Sequence, residues 1–354
     1  MLKEFKRTFG FEFEHISQIS HGELGRLLQI SGLPIDMSIL GTSNHEYRGW
    51  EVKSDGSITT QGKYSYAIEL TSPPITPKNY PDMIKALTNA RKYGGVNASC
   101  GLHVHVYAPD LAIVLMGDRA NQIWQKYISD AWLAVEDVMF SYMPTSRRSS
   151  NYCRPGVEWM TKYQAINFSP LRNRRTIEFR LHSATLNPRK ALAWGMLCRN
   201  FVEAMSTKII NFDSKLDPVF RVATKPKLIK TRSGTEFYLQ RDATGKWLIE
   251  HKKSKIESIT LDDVFKESKR MLKLKGKDSL LAFQYPPHGN AMSELCHKVR
   301  LNGMVRGYLE ARYDKMLALH GPSNITAQSV LLQDEEDFYH EPAYTPETNE
   351  SLVF

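Results

Sequence analysis

The sequence contains little cysteine and no long hydrophobic run. Its four cysteines are widely separated among 354 residues and form no Cys-x-x-Cys pair, which argues against a zinc ribbon and a disulfide framework. No apolar stretch reaches the roughly 18 residues that a membrane span needs. The charged residues 1–7 are not followed by the apolar segment of a signal peptide. We therefore expect a protein of the reducing cytoplasm that has no contact with a membrane.

The composition is that of a globular protein whose charge is unevenly placed. Hydrophobic residues make up 42% and charged residues 24% of the chain, which is enough apolar material for a substantial core. The net charge of +9 arises in residues 221–277, where 16 Lys and Arg face 7 Asp and Glu. Residues 334–350 carry seven acids and neither Lys nor Arg. The basic segment therefore bears on binding partners more than on a catalytic site.

Strand and helix patterns alternate over residues 1–212 and predict an α+β domain in which helices cover one face of a sheet. Residues 213–333 read as a basic hairpin region, from 221 to 251, followed by helices near 261–275 and 290–319. Residues 334–354 form an acidic tail that we expect to be disordered. Within the first region, strands are predicted at 9–16, 51–52, 65–70, 102–107, 163–168 and 176–181, and helices at 20–31, 81–93, 118–142 and 187–206.

Three of the predicted strands carry pairs of reactive side chains at a spacing of two residues. The pairs are Glu12 and Glu14, His103 and His105, and Glu178 and Arg180. Side chains at this spacing share one face of a strand, and in each strand the opposite face is apolar. Any one pair could belong to an ordinary amphipathic strand. Together, however, three carboxylates and an imidazole on one surface would repel or be desolvated unless a cation joined them. Oxygen-rich ligation favours a hard ion such as Mg²⁺ or Mn²⁺ over structural zinc.

An arginine-rich loop precedes the third of these strands. Arg172, Arg174 and Arg175 lie in it, and Arg180 lies on the strand itself. Guanidinium groups beside a metal-binding carboxylate cluster suit a ligand with many negative oxygens, such as a polyphosphate. The same loop could also be a solvated basic turn.

Several short motifs resemble the amidoligase family, a branch of the carboxylate–amine ligases related to glutamine synthetase and glutamate–cysteine ligase. They occur in the family's order and cover about residues 8–200. The matching segments are 10–14 (Gly-Phe-Glu-Phe-Glu), Trp50, 55–58 (Asp-Gly-Ser-Ile), 69–73 (Glu-Leu-Thr-Ser-Pro), 100–106 (Cys-Gly-Leu-His-Val-His-Val), 165–168 (Ala-Ile-Asn-Phe) and 176–182 (Thr-Ile-Glu-Phe-Arg-Leu-His).

The resemblance implies a fold and a set of site residues. The fold would be an antiparallel sheet of glutamine synthetase-like type, with helices packed on one face and the active site on the other. The metal ligands would be Glu12, Glu14, Glu69, His103 and Glu178. Arg180, Arg175 and Asp55 would take part in catalysis, and Arg180, Arg175, Arg172 and Ser57 would contact the nucleotide. His105 and Asn167 would line the substrate pocket. The 55–57 element could equally be a tight turn between strands.

The resemblance also implies an ATP-dependent reaction that needs Mg²⁺ or Mn²⁺. ATP would phosphorylate a substrate carboxylate to an acyl phosphate, and an amine would then displace the phosphate. The carboxylate could belong to an amino acid or a peptide, and the sequence names neither substrate. Relatives with this fold often assemble into rings or dimers, so a homo-oligomer is a further expectation.

Other functions also have to be weighed. A cupin would need a Glu soon after His-x-His, and an amidohydrolase barrel would need a series of βα units; the sequence has neither. A non-catalytic nucleic-acid-binding protein could use the basic segment 221–277, in which Phe237, Tyr238 and Trp247 lie among the charges. That segment could bind a polyanion, or it could be only a solvated basic surface. The nucleic-acid reading does not explain the three period-two pairs.

Overall fold

The computed structural model describes most of residues 7–323. The described ranges are 7–35, 49–115, 121–159, 161–220, 227–230, 236–241, 247–251, 291–301 and 303–323.

A sheet of seven antiparallel strands forms the centre of the fold. Its strands are β1 (Phe9–Ser17), β2 (Glu51–Ser54), β3 (Tyr66–Thr71), β4 (Gly94–Gly95), β5 (Gly101–Tyr107), β6 (Ile166–Asn167) and β7 (Thr176–Ser183). The strand order is β2-β3-β1-β5-β7-β6, and β4 pairs with the end of β1. The three strands that carry the period-two pairs, β1, β5 and β7, are therefore direct neighbours. The predicted combination of an antiparallel sheet with helices is confirmed.

Helices connect and cover this sheet. They are α1 (His21–Ile30), α2 (Tyr80–Tyr93), α3 (Pro109–Leu115), α4 (Asn121–Ser141), α5 (Thr145–Arg148), α6 (Pro188–Phe220), α7 (Ala291–Lys298) and α8 (Gly303–His320). The start of α1 is fixed by a capping box, in which Ser20 Oγ accepts from Glu23 N and the Glu23 carboxylate accepts from Ser20 N. Among the described helices, none is both long enough and apolar enough to cross a membrane.

The apolar face of the sheet packs against α4 and α6. Phe179 of β7 contacts Trp132 of α4 and Phe201 of α6, with ring centroids 5.7 and 6.1 Å apart. Gly195 brings α6 close to β1, because a Cβ there would lie 2.5 Å from the ring of Phe9 and 2.7 Å from the ring of Phe11. Helices α4 and α6 thus cover the apolar face, and the charged side chains of β1, β5 and β7 lie on the opposite face.

Some element boundaries differ from the sequence predictions. The strand expected over 163–168 is only Ile166–Asn167, because Ala165 N and Tyr163 O pair with the backbone of Arg154 instead. Helix α3 was not predicted, and the single helix expected over 290–319 is two helices. Their junction includes Arg300, whose φ of 58° is incompatible with a continuous right-handed helix.

The second half of the chain is only partly described. Strands β8 (Lys227–Lys230), β9 (Glu236–Arg241) and β10 (Trp247–His251) form an antiparallel three-stranded sheet, which confirms the hairpin pattern predicted there. The predicted turns at 233–234 and 244–245, the helix at 261–275 and the acidic tail lie outside the described residues. Helix α6 continues through the predicted boundary near 212. The division into domains stays a prediction.

Candidate active site

Strand pairing brings the three sequence-distant pairs onto one patch of the sheet. Glu12 of β1 lies opposite His103 of β5, and His105 of β5 lies opposite Glu178 of β7. Directly opposite residues in an antiparallel pair have their side chains close together on the same face. The period-two spacing seen in the sequence therefore becomes a continuous polar cluster that crosses three strands.

His103 is at the centre of this cluster. Its Nδ1 lies 3.0 Å from Glu12 Oε2 and 3.6 Å from Glu178 Oε1, and its Nε2 lies 3.3 Å from Glu14 Oε1. His105 Nε2 lies 3.1 Å from Glu12 Oε1 and 3.8 Å from Glu178 Oε1. The side chains of His103 and Glu178 are only 4% and 6% exposed, so solvent screens their interaction little.

Three residues of the cluster could hold a divalent metal ion. Glu12, His103 and Glu178 each offer one ligand atom, and these atoms lie within 4.8 Å of one another. Two carboxylate oxygens and one imidazole nitrogen suit Mn²⁺ or Mg²⁺. His105 Nε2 is buried beside these three residues, 3.1 Å from Glu12 Oε1. The donor set thus fits the metal that the sequence led us to expect.

The other two predicted ligands lie beside this triad. Glu14 contacts His103 through one oxygen, and its Oε2 accepts a hydrogen bond of 2.6 Å from Gly101 N. Glu69 of β3 lies opposite Glu14, accepts a 3.0 Å hydrogen bond from Thr71 Oγ1, and lies 4.0 Å from Lys53 Nζ. Both remain predicted ligands.

Neighbouring charges hold two of these carboxylates in the ionised form. Burial alone would raise the pKa of Glu12, but His105 and His103 outweigh it and lower this pKa well below its usual value. Burial would likewise raise the pKa of Glu178, but the two histidines and Arg180 lower it. Burial would lower the pKa of His105, yet the carboxylate of Glu12 raises it.

Glu69 differs from these carboxylates. Burial, and then the negative charge of Glu12, raise the pKa of Glu69 to about 7, against weaker opposing effects of Lys53 and Thr71. A carboxyl group with this pKa can hold or release a proton near neutral pH. The patch therefore contains both firmly ionised carboxylates and one poised for proton exchange.

Arg180 and Asn167 bind Glu178 from opposite sides. Arg180 Nη1 donates to Glu178 Oε1 at 2.6 Å, and Asn167 Nδ2 donates to Glu178 Oε2 at 2.6 Å. Arg180 Nε reaches the carbonyl of Tyr152 at 3.3 Å, whereas its Nη2 donates to no other described residue. One edge of this guanidinium is therefore available to a ligand next to the carboxylate cluster.

The remaining predicted residues lie farther out. Arg172 and Arg175 are exposed in the loop before β7, and Arg175 has a φ of 57°. Asp55 and Ser57 form a turn after β2, because Asp55 Oδ1 accepts from both the backbone N and the hydroxyl of Ser57 at 2.8 and 2.7 Å. Within the described residues, no hydrogen bond or ion pair joins this turn to the cluster. Their predicted roles stay predictions.

The sequence analysis did not select Lys53, although its spacing of two residues from Glu51 could have indicated it. Its Nζ lies 2.5 Å from Glu51 Oε2 and 4.0 Å from Glu69 Oε1. Burial would lower the pKa of Lys53, but the carboxylates of Glu51, Glu69 and Glu12 raise it. Glu51 and Lys53 have the same spacing of two residues as the other pairs, and β2 continues the charged face beyond β3.

These features define a class of site: a carboxylate–imidazole cluster with an adjacent guanidinium, built on one face of an antiparallel sheet. Residues 5–163 match a family model described as "Putative amidoligase enzyme". This match supports an assignment to the amidoligase family, whose enzymes form amide bonds. No curated protein matches the chain in sequence. The matched region contains Glu12, His103 and Glu69, whereas β7 with Glu178 and Arg180 follows it.

Proposed function

We propose that this chain is an ATP- and Mg²⁺-dependent ligase that joins a carboxylate to an amine through an acyl phosphate. The observation that carries the proposal is that ligand atoms of Glu12, His103 and Glu178 lie within 4.8 Å of one another, next to the guanidinium of Arg180. The family match supports amide-bond formation as the reaction class. A sheet of glutamine synthetase-like type is part of the same proposal.

The side chains divide the work of this reaction between them. Glu12, His103 and Glu178 would hold the divalent cation, and Mn²⁺ could replace Mg²⁺. When bound, that cation supplies neutralisation of the charge that develops on the phosphoryl group in flight. Arg180 would bind phosphate oxygens through its outer edge, while its bond to Glu178 fixes the direction of the guanidinium.

The amine must lose a proton before it attacks. An ammonium ion has no lone pair, so a nearby group has to accept the proton. Glu69 suits this step because its pKa is about 7 and it lies on the same face, one strand beyond Glu14. No covalent nucleophile on the protein is required, since the acyl phosphate is itself activated; positioning and fixed charge provide the catalysis.

The partners of this reaction follow from the same assignment. The carboxylate substrate would be an amino acid or a peptide, His105 and Asn167 would line its pocket, and a cytoplasmic location would supply ATP. Arg172, Arg175 and Ser57 would reach the nucleotide only if their exposed segments contact it.

The test is ADP release from ATP with Mg²⁺ or Mn²⁺ in the presence of pooled carboxylates and amines. We expect turnover that requires the metal and a carboxylate, and that falls at least about 100-fold in Glu14→Gln and Glu178→Gln. Both variants keep the side-chain shape and remove the charge. Glu158→Gln, an exposed glutamate in the loop before β6, serves as the matched control and should retain wild-type turnover. Absence of both turnover and metal-dependent ATP binding by calorimetry would refute the ligase assignment.

A further inference from the structure

The pairing of β5 with β7 is interrupted next to the candidate site. Val104 lies opposite Phe179, but Leu102 lies opposite His182, so β7 uses one residue more than β5 over this stretch. Such a bulge disrupts the ladder of hydrogen bonds and re-aims the side chains at and beyond it. It lies at Arg180 and Leu181, opposite His103. The direction of Arg180 therefore depends on how this bulge is held.

A buried arginine from α5 holds the bulge. Arg147 is only 3% exposed, and its guanidinium donates to the carbonyl of Arg180 at 2.5 Å and to the carbonyl of Leu181 at 3.1 Å. Buried carbonyls that lose their ladder partners are costly unless another donor reaches them. One planar guanidinium can satisfy two adjacent carbonyls, which the single ammonium of a lysine does less well.

The same guanidinium reaches the charged face of the sheet beside His103. A Cβ on Gly101 would stand 2.5 Å from Arg147 Nη2 and 3.0 Å from His103 Nε2. Residues 101, 103 and 105 of β5 share one face. Glycine at 101 therefore leaves room for these two side chains, and a larger residue would displace Arg147 or crowd His103. The structure thus explains why a glycine stands two residues before the first histidine of the Gly-x-His-x-His segment, which the sequence alone does not explain.

We propose that Arg147 is a positioning residue of the candidate site. It holds the β7 bulge in the form that aims Arg180 at Glu178, and it occupies the space that Gly101 leaves next to His103. Its effect on any ligand is indirect, through the backbone of β7 and the packing of His103. The inference uses the metal site proposed above only as one readout.

Arg148 provides a matched control within the same helix. It is also buried, at 8% exposed, and it also donates to backbone carbonyls: those of Met143, Ser141 and Gly321, at 2.9, 3.1 and 3.0 Å. These carbonyls lie at the ends of α4 and α8, away from β7. Loss of Arg148 should therefore weaken the fold by a similar mechanism without changing the bulge.

The experiment compares Arg147→Lys with Arg148→Lys in the full-length chain. Calorimetric titration with Mn²⁺ should show about a tenfold weaker affinity in Arg147→Lys, the lower end of the range for residues that orient metal ligands. Arg148→Lys should stay within about twofold of the wild type. Hydrogen exchange should rise roughly tenfold in residues 176–183 of Arg147→Lys, and stay unchanged in 66–71.

A third variant tests the same inference without removing the guanidinium. Gly101→Ala should displace Arg147, and the double variant Gly101→Ala/Arg147→Gln should bind Mn²⁺ no worse than Arg147→Gln alone. Equal losses in Arg147→Lys and Arg148→Lys, or unchanged exchange in 176–183, would overturn the proposal. If the wild type does not bind Mn²⁺, the metal site fails, and the exchange comparison still decides the role of Arg147.

Discussion

Two carboxylates on the same face of the sheet have pKa values that move in opposite directions. Glu178 of β7 and Glu69 of β3 are both largely buried, with side chains 6% and 20% exposed. The pKa of Glu178 is lowered, whereas that of Glu69 is raised to about 7. Burial opposes ionisation in both cases, so neighbouring charge accounts for the difference. His105, His103 and then Arg180 lower the pKa of Glu178, whereas Glu12 adds to the effect of burial at Glu69 and Lys53 lies 4.0 Å away.

The comparison shows that the two ends of the charged face hold carboxylates of different pKa. Its β7 end keeps a carboxylate ionised and is suited to bind cations. Its β3 end keeps a carboxyl group near neutrality and is suited to exchange a proton. In a reaction that uses metal-bound phosphate at one place and deprotonates an amine at another, both kinds of carboxylate are needed.

The largest effect is expected from removing charge at the β7 end. Glu178→Gln should weaken Mn²⁺ binding at pH 7.5 by about 100-fold, because an amide is a poor ligand and the cluster loses one of its negative charges. Glu69→Gln should weaken it by less than about tenfold, because Glu69 lies outside the triad. Calorimetry on both variants measures the difference. Equal losses of Mn²⁺ affinity in the two variants would contradict the proposed difference between the two ends and would indicate that Glu69 is also a metal ligand.

The second prediction concerns a variant in which the pKa of Glu178 should rise towards that of Glu69. Arg180→Gln removes the cation that helps to lower the pKa of Glu178, so this pKa should rise. A metal binds the ionised carboxylate, and protons therefore compete with it at low pH. Mn²⁺ affinity of Arg180→Gln should therefore fall more at pH 6 than at pH 8, relative to the wild type.

Arg180→Lys is the control for this experiment. It keeps a positive charge near Glu178, so the ratio of Mn²⁺ affinities at pH 8 and pH 6 should stay close to that of the wild type. A pH ratio that is the same in Arg180→Gln and in the wild type would show that Arg180 does not hold Glu178 in its ionised form.

Much of this arrangement was predictable from the sequence, because side chains two residues apart lie on the same face of a strand. The pairs on β1, β5 and β7 needed only to be on neighbouring strands to meet, and the alternation of apolar residues on the opposite face supported this. The strand order itself was not predicted and comes from the structure. Glu51 and Lys53 carried the same spacing, and the pattern could have included them.

The bulge and Arg147 were not predictable in this way. Strict alternation would place His182 on the same face as Glu178 and Arg180. The extra residue of β7 instead turns its ring onto Tyr142 and Trp194, with ring centroids 5.9 and 5.1 Å apart. Arg147 follows a helix and a proline, far from the strands in sequence, and only tertiary contact with the β7 carbonyls gives it a role.

The smallest predicted effect tests the Glu69 end by protein stability in metal-free buffer. The pKa of Glu69 is about 7 in the folded chain, above the roughly 4.3 of an unfolded glutamate. The folded state therefore binds the proton more tightly, and this contribution to stability is complete below about pH 4 and is lost as the pH rises through 7. Glu69→Gln has no such loss.

Relative to the wild type, Glu69→Gln should therefore gain unfolding free energy on the order of 1 kcal/mol between pH 5 and pH 8.5, a value reduced for the partial exposure of the side chain. Glu178→Gln should change little between the same two pH values. The lowered pKa of Glu178 stabilises the folded chain at every pH above the unfolded pKa of roughly 4.3, and this contribution is lost only as the pH falls below that value. Chemical denaturation of the wild type and both variants at pH 5 and pH 8.5 measures these changes. A gain in Glu178→Gln as large as that in Glu69→Gln would show that burial, and not neighbouring charge, controls both carboxylates.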